Sequence, residues 1–125
     1  MIPDHLVPMT QYAPIEINVH HENDVYIFDV HGRLTIGDSS DQLTAALTSI
    51  LQNGARKVVI DLNGVPQIDS SGISSLVRMS VSLGRENGVL HLVCRPGRVR
   101  DALTVTRLVE AIPTFDTLAQ ATKFV

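Results

Sequence analysis

Ile15, Ile17 and Val19 alternate with Glu16, Asn18 and His20, the period of a strand with one buried face. Asn23-Asp24 reads as a turn, and Val25 to His31 (VYIFDVH) is rich in β-branched and aromatic residues. So short a turn predicts an antiparallel hairpin, ended by Gly32. The pattern then changes period. Leu43, Ala46, Leu47, Ile50 and Leu51 form one apolar stripe at helical spacing, with Asn53-Gly54 as the stop. Ser39 and Gln42 have the spacing of a capping box at its start.

Lys57 to Leu62 (KVVIDL) is short and nearly all apolar, as expected of a strand buried on both faces of a parallel sheet. An irregular stretch with Asn63-Gly64 and Pro66 leads to Ile68-Asp69-Ser70-Ser71-Gly72, where a second helix begins. Its inner side is read as Ile73, Leu76, Val77, Ser80 and Val81, and Asn87-Gly88 closes it. Val89 to Cys94 is a further buried strand. Pro96 marks a third helix with Val99, Ala102, Leu103 and Thr106 inward. Ile112 to Phe115 is a short last strand, and Asp116 is placed to cap a final helix ending near Phe124. Alternating strands and helices imply an α/β domain. The expected fold is a mixed β-sheet with helices mainly on one face, because the opening hairpin brings no helix of its own.

At 125 residues and 44% apolar, the chain holds one core. Residues 15–125 are read as a single domain, and residues 1–14, with Pro3, Pro8 and Pro14, as an irregular arm. Ten Lys and Arg against thirteen Asp and Glu give a net charge of -3, which argues against direct nucleic-acid binding. A single cysteine excludes an intramolecular disulfide and a cysteine-built zinc site. No apolar run is long enough to span a membrane, and Met1 to Thr10 lacks the pattern of a secretory leader. A cytoplasmic protein with no membrane partner is expected.

Asp69-Ser70-Ser71-Gly72 is the most informative stretch. Helix starts carry unpaired N–H groups and a partial positive charge, which favour a carboxylate, a hydroxyl or a phosphate. Two readings follow: a plain helix cap with a permissive glycine, or a modifiable, partner-facing serine. The remaining constellations point to structure. His20, His21, Glu22 and His31 read as polar residues of a hairpin rather than a metal site. Cys94 reads as a buried thiol, and Arg95, Arg98 and Arg100 as a solvated rim. No cofactor is expected. Catalysis is not expected either: Ser70 lacks a Gly-x-Ser-x-Gly elbow, and His31 and Asp69 are the only nameable bases for a small serine hydrolase.

The string Val58-Val59-Ile60-Asp61-Leu62 followed by Ile68-Asp69-Ser70-Ser71-Gly72-Ile73 resembles the signature of STAS domains, and most of all that of bacterial anti-sigma factor antagonists. Gly32-Arg33-Leu34 is similar to that family's turn before its first helix. Val99 to Leu103 is similar to its third helix, and Phe115-Asp116-Thr117 to its entry into the last one. The resemblance covers residues 15 to 124. It implies a phosphoprotein of transcription regulation that acts by partner switching. The unmodified protein binds an anti-sigma factor that is also a serine kinase, the sigma factor is released, and phosphorylation of Ser70 ends the binding. The implied partner surface comprises Gly32, Arg33, Leu34, Thr35, Asp69, Ser71, Gly72, Ile73, Ser74 and Arg78, with Ser75 also on the exposed side of that helix. One departure stands out: Thr35 occupies the place of the family's usual Asp, and Asp38 is the carboxylate nearest in sequence that could replace it. An interaction or ligand-sensing STAS module outside sigma-factor control is the alternative.

Overall fold

A computed structural model describes residues 15–125, apart from the side chain of Asp38; the N-terminal arm read over residues 1–14 lies outside the described residues. The hairpin forms as expected from β1 (Glu16–Glu22) and β2 (Val25–His31), paired antiparallel with Glu22 opposite Val25. Asn23 and Asp24 both take left-handed backbone conformations in the turn, with φ of 49° and 63°, as tight hairpins require. Then come α1 (Asp38–Gln52), β3 (Lys57–Gly64), α2 (Ser70–Arg85), β4 (Val89–Val93), α3 (Arg98–Val105), α4 (Leu108–Ala111), β5 (Thr114–Phe115) and α5 (Leu118–Lys123).

The five strands lie in chain order, β1-β2-β3-β4-β5, and every pair after the hairpin is parallel. Each parallel step needs a helical crossover, and these crossovers fall on one face. Phe28, Val30, Val58, Ile60, Leu62 and Leu92 point to that side. They meet Leu43 and Leu47 of α1, Leu76, Met79 and Leu83 of α2, Val99 and Leu103 of α3 and Leu108 of α4. Alternation along the strands sends Val25, Ile27, Val59 and Val93 to the opposite side, where α5 covers them with Ala121. Each fully buried side chain of this size stabilises the fold by roughly 1.5–3 kcal/mol. On the α5 side, buried His91 ties the helix down through its Nδ1, 3.1 Å from the Ala121 carbonyl, with Phe115 packed on its ring.

The parallel arrangement brings the C-terminal ends of β2, β3 and β4, and the starts of α1, α2 and α3, to one edge of the sheet.

Several local expectations are corrected. Ser39 does not cap α1. The cap is Gly37, with φ of 106° and no side-chain bond; the Ser39 hydroxyl turns back to Thr35 instead. Asp116 does not cap α5. Thr117 does, in a reciprocal box with Gln120, while Asp116 pairs with Arg100 at 3.1 Å. Pro96 precedes the first residue of α3, whose cap is Gly97, and Thr106 lies at the exposed end of that helix. The four-residue α4 was not expected. The inner face of α2 is also rotated from its expected phase. Gly72, Ser75, Leu76, Met79 and Leu83 face inward, whereas Val77 and Val81 are 41% and 48% exposed. Glycine and serine on the buried stripe allow α2 a close approach, and they hide that stripe from a reading based on apolar spacing.

Candidate functional site at the start of α2

Two loops meet at the sheet edge. Leu34, in the loop after β2, forms an isolated parallel bridge with Ile68, in the loop after β3. The Leu34 N–H donates to the Gln67 carbonyl at 2.9 Å, and the Asp69 N–H donates to the Leu34 carbonyl at 3.2 Å. The Gly32 N–H donates to the Gly64 carbonyl at 3.1 Å. The β2–β3 pairing is thereby continued past the strands and sets the height at which α2 begins.

Asp69 completes the junction. Its Oδ1 accepts from the N–H groups of Ser71 (2.9 Å) and Gly72 (3.1 Å), closing two of the unpaired donors at the helix start. Its Oδ2 accepts from the Ile36 N–H at 2.9 Å. Gly72 is buried under the other loop. A Cβ there would overlap the Leu34 carbonyl oxygen and lie 2.7 Å from Ile68 Cγ1. On the α1 side, the Thr35 N–H donates to Ser39 Oγ (3.0 Å), and the Ser39 and Ser40 hydroxyls donate to the Thr35 carbonyl at 2.7 and 3.0 Å.

Ser70 is the first residue of α2 and is exposed. It opens onto a groove of about 380 Å³ between the starts of the two helices. Ser71, Ser74 and Arg78 line the groove from α2; Ile36 and Gly37 line it from the loop, and Ser40 and Asp41 from α1. Ile36 is 80% exposed although apolar. Ser70, Ser74, Val77 and Val81 follow at i, i+4, i+7 and i+11, so they share one outward stripe of α2.

The residues named from sequence thus fall into three groups. Ser70, Ser74, Arg78 and Arg33 are exposed, and Ser71, Ile73, Thr35, Gly32 and Asp69 are half-buried. Leu34 and Gly72 are buried and position the loop and the helix; Ser75, expected on the exposed side of α2, is buried as well, because it lies on the helix's inner stripe. Thr35 does not line the groove, and its backbone is held by the α1 serines. The side chain of Asp38 lies outside the described residues. Sequence reasoning missed Ile36, Val77 and Val81 as surface residues; Ile36 carries no signal in the loop, and the two valines are apolar residues that share a helical phase with Ile73 and so read as core.

The other clusters stay apart from this site. His21 stacks on Tyr26 across the hairpin with ring centroids 4.0 Å apart, and His31 pairs with Asp29 at 3.0 Å. Among the described residues, no three His, Cys, Asp or Glu side chains converge as a metal site would need. The carboxylate of Asp69 is occupied by three backbone N–H groups. Arg100 is not part of a solvated rim: its Nη1 donates to the Cys94 carbonyl at 2.6 Å and pairs with Asp116. Cys94 is buried, and burial pushes its thiol above its usual pKa; Arg100 works against that rise, and Asp61 and Asp116 add to it.

The family model for the STAS domain matches residues 16–121, so the chain belongs to the STAS family. Among solved structures it is similar to an anti-sigma-factor antagonist (STAS) domain protein from Planctomyces limnophilus, with 30% identity, 84% of this chain and 93% of that one covered, and a TM-score of 0.73. It is also similar to an anti-sigma factor antagonist from Mycobacterium paratuberculosis, with 27% identity, 89% and 93% covered, and a TM-score of 0.78. The same fold occurs within a murine anion transporter, solute carrier 26 family member A9, with 16% identity, 96% of this chain and 24% of that one covered, and a TM-score of 0.71. No curated protein sequence matches the chain. No helix among the described residues is long and apolar enough to cross a membrane.

Proposed function

We propose that this protein is an anti-sigma factor antagonist. In this reading it binds an anti-sigma factor through the surface around the start of α2, frees the sigma factor, and loses that binding when Ser70 is phosphorylated by the same partner. The observation that carries the reading is an exposed hydroxyl at the first turn of a 16-residue helix, beside an exposed apolar residue, Ile36, and an exposed apolar stripe, Val77 and Val81. The likeness to two anti-sigma factor antagonists of known structure supports it.

Phosphoryl transfer would join Ser70 Oγ to the γ-phosphorus of ATP, break the bond to the β-phosphate oxygen, release ADP and lose the hydroxyl proton. The product carries about -1.5 to -2 charge at neutral pH. Inside the free protein that charge is tolerated, because the helix start returns roughly 0.3–1 kcal/mol to an exposed anion. Against a partner surface closed over Ser70 it is not tolerated, since like-charge or desolvated contacts cost several kcal/mol. About 3 kcal/mol weakens binding more than a hundredfold. The fold survives while the complex separates.

Incubation with ATP and candidate anti-sigma factor kinases, followed by phosphopeptide mapping, tests the assignment. Phosphate at Ser70 is the expected result; phosphate confined to Ser71 or Thr35 contradicts it. The replacement of the family's usual Asp by Thr35 favours one second reading, a STAS interaction module that binds its partner without ATP-dependent modification.

A further inference from the structure

We propose that Arg78, with Ser74, forms an internal receptor for the phosphoryl group of phosphorylated Ser70, so that the modified state is one in which the phosphate lies along α2 in the groove rather than standing free in solvent. This rests on the reading of Ser70 as the phosphate acceptor. Ser70, Ser74 and Arg78 stand at i, i+4 and i+8, a single ridge of α2, and all three line the same groove. Long side chains on a helix lean toward its N-terminus. Arg78 does so here: its Nη2 donates to Ser75 Oγ, three residues back, at 3.3 Å. Among the described residues the guanidinium makes no ion pair, and its bond to the buried Ser75 hydroxyl is long, leaving its other N–H groups to meet an anion. The reach therefore comes from Arg78, which leans back toward Ser70 past the Ser74 hydroxyl, a further donor in the same groove.

Guanidinium and phosphate match in charge and in donor–acceptor geometry, a match an aspartate at position 70 reproduces poorly because it is shorter and carries one charge. The charged side chains described around the groove are Arg78 on α2, Asp41 on α1, which opposes an anion, and Asp69 at the cap, whose oxygens are already occupied.

The test installs phosphoserine at position 70 by genetic encoding, so it does not depend on any kinase choosing that residue. The second ionisation of the phosphate is followed by 31P NMR in this protein and in its Arg78→Gln and Asp41→Asn forms. Arg78 favours the dianion, so Arg78→Gln should raise the phosphate pKa by about half a unit or more, and Asp41→Asn should lower it. Removal of the phosphate by a broad-specificity phosphatase should be several-fold faster in Arg78→Gln. Both substituted positions are exposed, and unchanged thermal unfolding confirms that the two variants are folded. Superimposable titrations and equal dephosphorylation rates with and without Arg78 would overturn the receptor while leaving the Ser70 switch standing. Failure of kinases to modify Ser70 would defeat the switch without changing these titrations.

Discussion

The Oδ2 of Asp69 accepts the Ile36 N–H at 2.9 Å while its Oδ1 caps α2, so one carboxylate joins the loop after β2 to the helix that begins with Ser70. Asp69→Ala removes both functions and should cost about 1–2 kcal/mol of stability. Asp69→Asn keeps an oxygen for the cap but presents an amide to the Ile36 N–H. It should unfold close to the parent protein, yet exchange the Ile36 amide hydrogen faster. Thermal unfolding with residue-resolved hydrogen exchange separates the two roles, and equal Ile36 exchange in all three proteins would refute the link.

Gly72→Ala should destabilise the protein although alanine is the better helix former. The helical preference is worth about 1 kcal/mol, but the added methyl overlaps the Leu34 carbonyl oxygen. That oxygen is held by the Leu34–Ile68 bridge and cannot move aside alone. A net loss of roughly 1–3 kcal/mol is expected. A denaturant midpoint at or above the parent's would contradict it.

Val77→Asp and Val81→Asp separate surface from core. Both side chains are exposed, so unfolding should change by no more than ~0.5 kcal/mol. If the stripe contacts the anti-sigma factor, titration calorimetry should show binding weakened about tenfold or more. Unfolding of either variant would return these valines to the core.

Cys94 gives a pH signature. Its thiol is raised in the folded protein by burial, above the ordinary 9.0. The folded state therefore holds a proton that the unfolded chain releases first. Stability from this group is complete below the unfolded value and is lost as pH rises through the folded one. Denaturant midpoints should fall above about pH 9, and Cys94→Ala should flatten that part of the profile. An unchanged slope in Cys94→Ala would contradict the assignment.

Much of this architecture is legible in the sequence because its signals are local. VYIFDVH has the same limits in the sequence reading and in the structure, and Asp69 with its following serines and glycine marks the start of α2 in both. What was misread depends on tertiary contact. Ser39 has cap chemistry, but Thr35 lies close enough to take its hydroxyl. Asp116 is drawn to Arg100, sixteen residues away. The inner face of α2 was misassigned because Ser75 and Gly72 are buried where apolar residues were sought. Ile36, at the rim of the candidate site, carries no motif; its interest lies only in being apolar and exposed.

The affinity of an anti-sigma factor partner for this protein with serine at position 70, set against its affinity with phosphoserine there, tests the switch most directly. Binding should be at least a hundredfold weaker with phosphoserine, while thermal unfolding of the free protein stays the same. Equal affinities for the two forms would contradict a switch at Ser70.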